Sequence, residues 1–334
     1  MDVTLISRYF NTKNGGAGSH SKLIFEGLKN CKQLNVNTLS QKDSLISSYN
    51  QLSYLFFTAY DLKRLLNKEK FKNSDIFHAL TPLESNYIDK RKGVVSVLDF
   101  IPLMEKTSFF SFCFANYFES SIKEASKCEM IIANNSDIKI KLIENYGVNE
   151  SSINVICPPI SGKFYPKNLK HNIFTIGTIA NLMKRKRVDI LIKSFLDANI
   201  KNSQLLIGGK GSELNYLKKL ANNDERIKFL GFVPDEEMND FYNSLDVFVF
   251  PTLIEGYGMP IVEAMACGKP VITLNDSIIP SDVKNRTIVC NKNDLSNILE
   301  SQNFDFNKKD NIEFYKQHSL NKISNKILKV YESL

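Results

Sequence analysis

The chain alternates short apolar runs with amphipathic stretches. In its first half, apolar or β-branched runs lie at 2–7, 33–39, 75–80, 93–98, 129–134 and 153–158. Helical periodicity fills the intervals, at 18–30, within 43–72, at 109–127 and at 135–145. Strands that alternate with helices of about 10 to 20 residues are typical of a parallel α/β sheet.

The same alternation begins again after Pro166. Its apolar runs lie at 172–180, 204–209, 226–232, 246–251 and 270–274, and its helical patterns at 188–199, 212–222 and 235–244. Two such series predict two Rossmann-like domains, which we place at 1–160 and 168–310. Three prolines and a glycine favour a linker over 157–167. Residues 311–334 read as an amphipathic helix that we expect to pack back across the domain boundary.

The composition is that of an ordinary folded protein, with 43% hydrophobic and 24% charged residues among 334. The formal net charge of +7 is shared between the halves, which argues against a nucleic-acid partner. Six scattered cysteines without C-x-x-C spacing indicate a reducing compartment and disfavour zinc. We identify no signal peptide and no apolar window of membrane-spanning length, and therefore expect a cytoplasmic protein.

Two carboxylates, Glu255 and Glu263, flank a glycine-rich loop in EGYGMPIVEAMACGKPVITL, residues 255–274. Pro260 suits the first position of a helix and Gly268 the residue after its end, which predicts a short helix over about 260–267. The loop and helix start comprise Gly256, Tyr257, Gly258, Met259 and Pro260.

This loop would follow a buried strand, and ligands of open parallel sheets bind beyond the carboxyl ends of the strands. The amino end of the helix offers backbone N–H groups to a diphosphate. Glu255 would accept hydrogen bonds from a sugar and Glu263 from a ribose. Solvated glutamates without a site role are the alternative.

Four cations follow the strand at 172–180, namely Lys184, Arg185, Lys186 and Arg187. Either all are solvated, or one or two face the ligand and neutralise a leaving diphosphate. Position alone leaves both interpretations open.

A glycine turn is expected in NGGAGSHSKLIFEGL, residues 14–28, where Gly15 and Gly16 would permit close approach of a ligand. It lacks G-x-G-x-x-G spacing and is a poor dinucleotide fingerprint. We assign Gly16 to the donor side, and Gly15, His78 and Asp99 to the acceptor side. A structural role for His78 is the alternative.

The run from Arg226 to Ile272 resembles the retaining glycosyltransferases of the GT-B fold, family four, also called glycosyl transferases group 1. The family's E-x7-E element matches Glu255 and Glu263 in type and spacing. The segment 177–195, GTIANLMKRKRVDILIKSF, is similar to the family's G-T-x-x-P-R-K-N segment. The resemblance is strong over 173–275 and looser in the N-terminal domain.

The resemblance implies an α/β GT-B architecture, with two Rossmann-like domains whose parallel sheets face a central cleft. It implies that the donor binds mainly in the C-terminal domain and the acceptor in the N-terminal one. On this alignment Arg185 and Lys186 bind phosphate, Glu255 the donor sugar and Glu263 the ribose. The backbone around Phe232 and Val233 would contact the base.

The implied activity is retaining transfer of a hexose-type sugar from a UDP- or GDP-sugar to a hydroxyl of a glycan, glycolipid or lipid-linked acceptor. We predict no cofactor and no metal, because the chain has no D-x-D pair and the cations would stabilise the leaving diphosphate instead. The acceptor hydroxyl would attack from the face that the nucleotide leaves, without a protein nucleophile.

Two departures from the family pattern leave alternatives. Leu98 precedes Asp99 where relatives often have His-Asp, and CPPIS replaces the usual P-N-G-hydrophobic-Asp segment. They indicate a different sugar or an inactive member. The rivals are a non-catalytic nucleotide-sugar-binding subunit, a GT-B nucleotide-sugar epimerase, and a glycoside hydrolase with Glu255 and Glu263 as acid and base.

Peripheral contact with an anionic membrane, at its inner face, is a further hypothesis. The segment 107–118 is rich in phenylalanine, and 54–72 combines apolar positions with lysines and arginine, as an interfacial helix does. Core helices with solvated lysines are the alternative.

Overall fold

A computed structural model of the chain describes residues 1–11, 15–46, 50–104, 108–169 and 172–334. The chain divides into two compact units, Met1–Ser161 with His318–Leu334, and Gly162–Gln317. The second unit starts within the proline-containing segment and continues past residue 310, where the sequence pattern placed its end.

The first unit is built on a parallel sheet. Its described strands follow the order β2-β1-β3-β4-β5-β6. They are β1 (Asp2–Ser7), β2 (Asn35–Ser40), β3 (Ile76–Ala79), β4 (Gly93–Val97), β5 (Met130–Ala133) and β6 (Ile153–Val155). Every residue of β3 and β4 is buried, as expected for a parallel sheet covered on both faces.

Helices flank this sheet. They are α1 (Gly15–Lys29), α2 (Gln51–Phe56), α3 (Leu62–Leu66), α4 (Glu69–Lys72), α5 (Ile101–Met104), α6 (Phe109–Ala125) and α7 (Ser136–Tyr146). A π-helical segment, Phe57–Asp61, joins α2 to α3. The apolar residues Leu62, Leu65, Leu66 and Phe71 lie in the core of the unit. The apolar face of 54–72 is therefore packed inside its own unit, which contradicts the interfacial-helix hypothesis for this segment.

The second unit repeats the architecture, with the strand order β12-β11-β10-β7-β8-β9 in its described residues. The strands are β7 (Phe174–Ile179), β8 (Ser203–Gly208), β9 (Ile227–Gly231), β10 (Val247–Phe250), β11 (Val271–Leu274) and β12 (Ile288–Cys290). All strand pairs are parallel. Strand β12 falls outside every predicted run, whereas the other five coincide with predicted ones.

The helices of this unit are α8 (Val188–Asp197), α9 (Leu214–Leu220), α10 (Met238–Asn243), α11 (Met259–Ala266), α12 (Ser281–Lys284), α13 (Leu295–Ser301) and α14 (Lys308–Lys316). Two sheets with helical layers of this kind confirm the predicted α/β class. None of the helices described in either unit is long and apolar enough to span a bilayer.

The carboxy-terminal tail forms two helices rather than one. Helix α14 belongs to the second unit, and the last helix, α15 (Leu320–Glu332), belongs to the first. There α15 packs on α1 so closely that a Cβ added to Gly27 would lie 2.0 Å from Ser324 Oγ. Tyr331 of α15 reaches the sheet, where its hydroxyl lies 2.6 Å from His78 Nδ1.

We predict that Tyr331→Phe destabilises the protein by about 1 to 3 kcal/mol, because it leaves a buried imidazole nitrogen without its hydrogen-bond partner. Denaturant unfolding measures the change. Tyr216→Phe, at a half-exposed residue of α9, serves as the control. Equal stability of the two variants would contradict the anchoring role of Tyr331.

Candidate functional site

The candidate site of the second unit lies where the strand order reverses. Strands β8 and β9 extend the sheet on one side of β7, and β10, β11 and β12 on the other. The loops after β7 and β10 therefore separate at the switch point, where open α/β sheets bind ligands. Arg185 and Lys186 follow β7, and Glu255 follows β10.

Helix α11 has the predicted limits to within one residue because its ends are set locally. Gly258, with φ +94°, is its N-cap, and Pro260 lies in its first turn. At the other end Gly268 has φ +69°. The N–H groups of Gly268 and Lys269 donate to the carbonyls of Met265 and Ala264 at 2.9 and 3.1 Å, which is the Schellman arrangement.

Arg185, Lys186 and Glu255 are brought together. Lys186 is only 8% exposed, and its ammonium is paired with Glu255 Oε1. Arg185 Nη1 lies 3.6 Å from the same oxygen, and Thr252 Oγ1 donates to it at 2.7 Å. Of the four sequential cations, Lys184 is the exposed one. The fully solvated alternative is therefore wrong for Lys186.

The loop that carries the cations is held from both sides. Leu182 N–H donates to the carbonyl of Lys210 at 2.8 Å, and Leu253 N–H donates to that of Arg185 at 2.7 Å. A Cβ at Gly209 would lie 1.8 Å from the Ala180 carbonyl oxygen. Gly209 thus permits close packing of the loops after β7 and β8.

Arg187 has a different role from its neighbours. Its backbone is left-handed, with φ 50° and ψ 35°, a conformation that costs a residue other than glycine about 1 to 2 kcal/mol. Its guanidinium binds Asp276 through two hydrogen bonds of 2.7 and 2.9 Å. These hydrogen bonds lower the pKa of Asp276.

Glu263 has partners different from those of Glu255. The hydroxyl of Tyr242, which is fully buried, donates to Glu263 Oε2 at 2.7 Å. The apolar surroundings raise the pKa of the Glu263 carboxyl to about 7. This carboxyl can therefore be neutral or ionised near physiological pH, whereas Glu255 lies against two cations.

The remaining donor-side candidates lie at the ends of neighbouring elements. Phe232, just after β9, is 63% exposed, and Val233 packs over the end of β8, with Cγ2 3.2 Å from the position of a Cβ on Gly208. Tyr257 is buried, and its hydroxyl donates to Asp282 at 3.2 Å. Its side chain thus serves the packing of α12.

The acceptor-side candidates of the first unit do not converge. Gly15 and Gly16 lie inside α1, three residues earlier than the predicted helix start, and not in a turn; Asn14 lies outside the described residues. A Cβ at Gly16 would meet nothing within 4 Å. His78 is fully buried and lies 2.9 Å from Ser96 Oγ in addition to its bond with Tyr331. These contacts match the structural alternative for His78.

Asp99 lines a cavity of about 290 Å³ at the switch point of the first sheet. Strands β1 and β3 are neighbours there, with β2 on one side and β4 on the other. The cavity lies beyond the carboxyl ends of β1, β3 and β4, and is lined by Ser7, Arg8, Tyr9, Ala17, Tyr54, Thr81, Pro82, Leu83, Glu84, Leu98, Asp99, Pro102 and Phe118.

Glu84 is a lining residue that the sequence-based search missed. It is fully buried, and its Oε1 accepts hydrogen bonds from Tyr54 Oη at 2.6 Å and from the Arg8 N–H at 3.0 Å. Thr81 Oγ1 donates to Oε2. Burial raises the pKa of Glu84 to about 7. One feature of the sequence could have led to Glu84. A threonine followed three residues later by a glutamate, as in Thr81-x-x-Glu84, is the pattern of a capping box and marks the start of a helix.

The second unit is similar in sequence to a known protein family. Residues 163–303 match the family model described as glycosyl transferases group 1. This part of the chain, most of the second unit, is similar to that family. The matched region contains Arg185, Lys186, Glu255 and Glu263, and the match confirms the resemblance read from the sequence.

Curated relatives of the chain include an O-antigen chain mannosyltransferase B from Escherichia coli, 32% identical over 127 residues, which cover 36% of this chain and 33% of the relative. Another is a mannosylfructose-phosphate synthase from Agrobacterium fabrum, 28% identical over 176 residues, which cover 45% and 39%. An alpha-monoglucosyldiacylglycerol synthase from Acholeplasma laidlawii is 29% identical over 133 residues, which cover 38% and 33%. The chain thus spans between a third and two fifths of these relatives' lengths.

Solved structures match the full chain. HepE from Anabaena, in complex with UDP and glucose, has a TM-score of 0.73 and 18% identity, with 100% of both chains covered. The lipopolysaccharide outer core galactosyltransferase WaaB has a TM-score of 0.71 and 14% identity, with 100% and 99% covered. These similarities confirm the GT-B fold that the resemblance implies.

We predict that Glu84→Gln gains stability relative to the wild type as pH rises from about 4.5 to about 7. The pKa of Glu84 is higher in the folded protein than in the unfolded chain. Above the unfolded-state pKa, ionisation therefore destabilises the folded wild type, whereas glutamine does not ionise and carries no such cost. Glutamine can still accept from Tyr54 and Arg8 and donate to Thr81. Melting temperatures across this pH range measure the difference.

Glu144→Gln is the matched control, because it removes an exposed carboxylate from the same unit. A difference between Glu84→Gln and wild type that does not change with pH would show that folding does not raise the pKa of the Glu84 carboxyl.

Proposed function

We propose that this protein is a retaining glycosyltransferase that transfers a hexose-type sugar from a UDP- or GDP-sugar to a hydroxyl of a glycan, glycolipid or lipid-linked acceptor. The observation that carries the proposal is the cluster of Arg185, Lys186 and Glu255 at the switch point of a glycosyl transferases group 1 domain. Two cations and one carboxylate leave a net charge of +1, which attracts a diphosphate.

In this proposal Arg185 and Lys186 stabilise the charge that develops on the leaving diphosphate, together with backbone amides at the start of α11. Glu255 orients the donor sugar. Glu263 accepts a hydrogen bond from a ribose hydroxyl, and the exposed segment at Phe232 and Val233 lies against the base. No metal takes part, and the acceptor oxygen attacks from the side that the nucleotide leaves.

The relatives' names support the donor class. They include mannosyl and glucosyl enzymes, and the HepE structure holds UDP. Thermal-shift measurements with UDP, GDP and their hexose conjugates distinguish the two nucleotides, because a ligand of the native state raises its melting temperature.

We place the acceptor in the cavity at the switch point of the first sheet. Its lining combines Asp99 and Arg8 with the aromatic side chains of Tyr9 and Tyr54, a mixture of polar and aromatic surfaces that suits a hydroxyl-rich ring. The Arg8 guanidinium lies 4.8 Å from the Tyr9 ring and 4.4 Å from the Tyr54 ring.

Peripheral contact with an anionic bilayer is part of the proposal. At the start of α6, Phe109 is 84% and Phe112 is 49% exposed, which is unusual for large apolar side chains. Helix α6 is linked to the π-helical segment by the Tyr117–Thr58 hydrogen bond of 3.2 Å. Arg64 is paired with the buried Asp61, so the solvated cation next to that segment is Lys63, which would complement anionic head groups.

We predict that Arg185→Ala lowers kcat/KM for the donor by about a hundredfold or more, since a preorganised cation is removed from the developing charge. Lys184→Ala, an exposed neighbour on the same turn, is the control and should retain wild-type activity. A wild-type rate in Arg185→Ala would refute its role. Adding Lys186→Ala should also lower the melting temperature, because Glu255 loses its buried partner.

We predict that wild-type protein floats with vesicles of phosphatidylglycerol and phosphatidylcholine, and that Phe109→Ser combined with Phe112→Ser reduces the floated fraction several-fold. Tyr216→Ser removes a half-exposed aromatic residue from the second unit and should not reduce it. No flotation of the wild type would end the membrane proposal.

A further inference from the structure

We propose that Arg187 is a positioning residue that holds the Glu255 loop in its ligand-ready geometry before any donor binds. Its side chain joins the loop after β10 to the loop after β11. We call this arrangement the Arg187 clamp, which consists of Arg187, Pro251, Thr252, Asp276 and Ser277. The link to donor use rests on the proposed function, whereas the clamp itself does not.

All three nitrogen atoms of the Arg187 guanidinium donate hydrogen bonds in the clamp. Nε donates to the carbonyl of Pro251 at 2.7 Å, and Nη2 donates to that of Thr252 at 2.9 Å. On the other edge Asp276 accepts the two-bond fork, and Ser277 Oγ lies 3.2 Å from Nη2. A lysine has no planar fork and cannot reproduce this pattern.

The clamp sits at the base of a short backbone ladder that carries Glu255. The Glu255 N–H donates to the carbonyl of Ile278 at 2.9 Å, and the Ile278 N–H donates to that of Leu253 at 2.7 Å. Thr252 links both systems, because its carbonyl accepts from Arg187 and its hydroxyl donates to Glu255. Displacement of Thr252 would therefore move Glu255 with it.

The left-handed backbone conformation of Arg187 indicates that its side chain has a specific role. Glycine and asparagine adopt the left-handed conformation more readily than arginine does. An arginine in this conformation, with a side chain only 14% exposed and fully engaged, indicates that its contacts compensate for the backbone conformation.

The same backbone provides a clean test. Arg187→Asn removes the clamp and leaves a residue suited to the conformation, and Asp276→Asn weakens the clamp without touching that backbone. The control is Arg226→Gln, which breaks another Arg–Asp pair of the same unit, with Arg226 Nη2 2.7 Å from Asp224 Oδ2. Hydrogen exchange is measured at the amides of Leu253, Glu255 and Ile278, and kcat/KM for the donor is measured in parallel.

We expect exchange at these three amides to rise about tenfold or more in Arg187→Asn and Asp276→Asn, with core amides of β7 and β10 unchanged. Donor kcat/KM should fall about tenfold, mainly through KM, because the loop must order on binding. Arg226→Gln should change neither quantity.

Unchanged exchange in both clamp variants would overturn the clamp. Faster exchange with wild-type kcat/KM would overturn its role in positioning. If the wild type transfers no sugar from any donor, the proposed function fails, and the positioning of a donor fails with it. The exchange rates then decide the clamp alone.

Discussion

The ion pair between Lys186 and Glu255 is the constraint on which the strand ends of the second unit depend. An ammonium group that is removed from water without a partner costs several kcal/mol, and Lys186 is 8% exposed. The loops after β7 and β10 must therefore lie close enough for the Lys186 ammonium to reach the Glu255 carboxylate. The hydrogen bond to the Arg185 carbonyl and the Arg187 clamp keep these two loops together, and the contact of Gly209 with Ala180 fixes the loop after β7 from the side of β8.

Features with local causes were predictable from the sequence. The β-branched runs became parallel strands because burial on both faces requires nearly continuous apolar residues. Pro260 and Gly268 bounded α11 because each acts on its own backbone. The E-x7-E spacing and the position after a strand led to Glu255, since parallel strands bring their carboxyl ends to one edge of the sheet.

Features with distant partners were not predictable in this way. His78 is a core residue because Tyr331, 253 positions away, supplies its hydrogen bond. Arg187 binds Asp276, which lies 89 positions away in the sequence. No local sequence pattern distinguishes Arg187 from Lys184. The start of α1 was misplaced because glycine is a poor helix former, although Gly15 and Gly16 both lie in its first turn.

Three buried or partly buried glutamates differ in the partners of their carboxyl groups. Glu255 has cationic partners, since its Oε1 lies beside the Lys186 ammonium and 3.6 Å from Arg185 Nη1. Glu84 and Glu263 instead accept from the phenols of Tyr54 and Tyr242, and burial raises the pKa of each to about 7. A phenol donates only one hydrogen bond and brings no charge, so it compensates less of the desolvation cost than a cation does. The carboxyl groups beside the two phenols can therefore be neutral near physiological pH, and the two cations of the site lie instead beside Glu255.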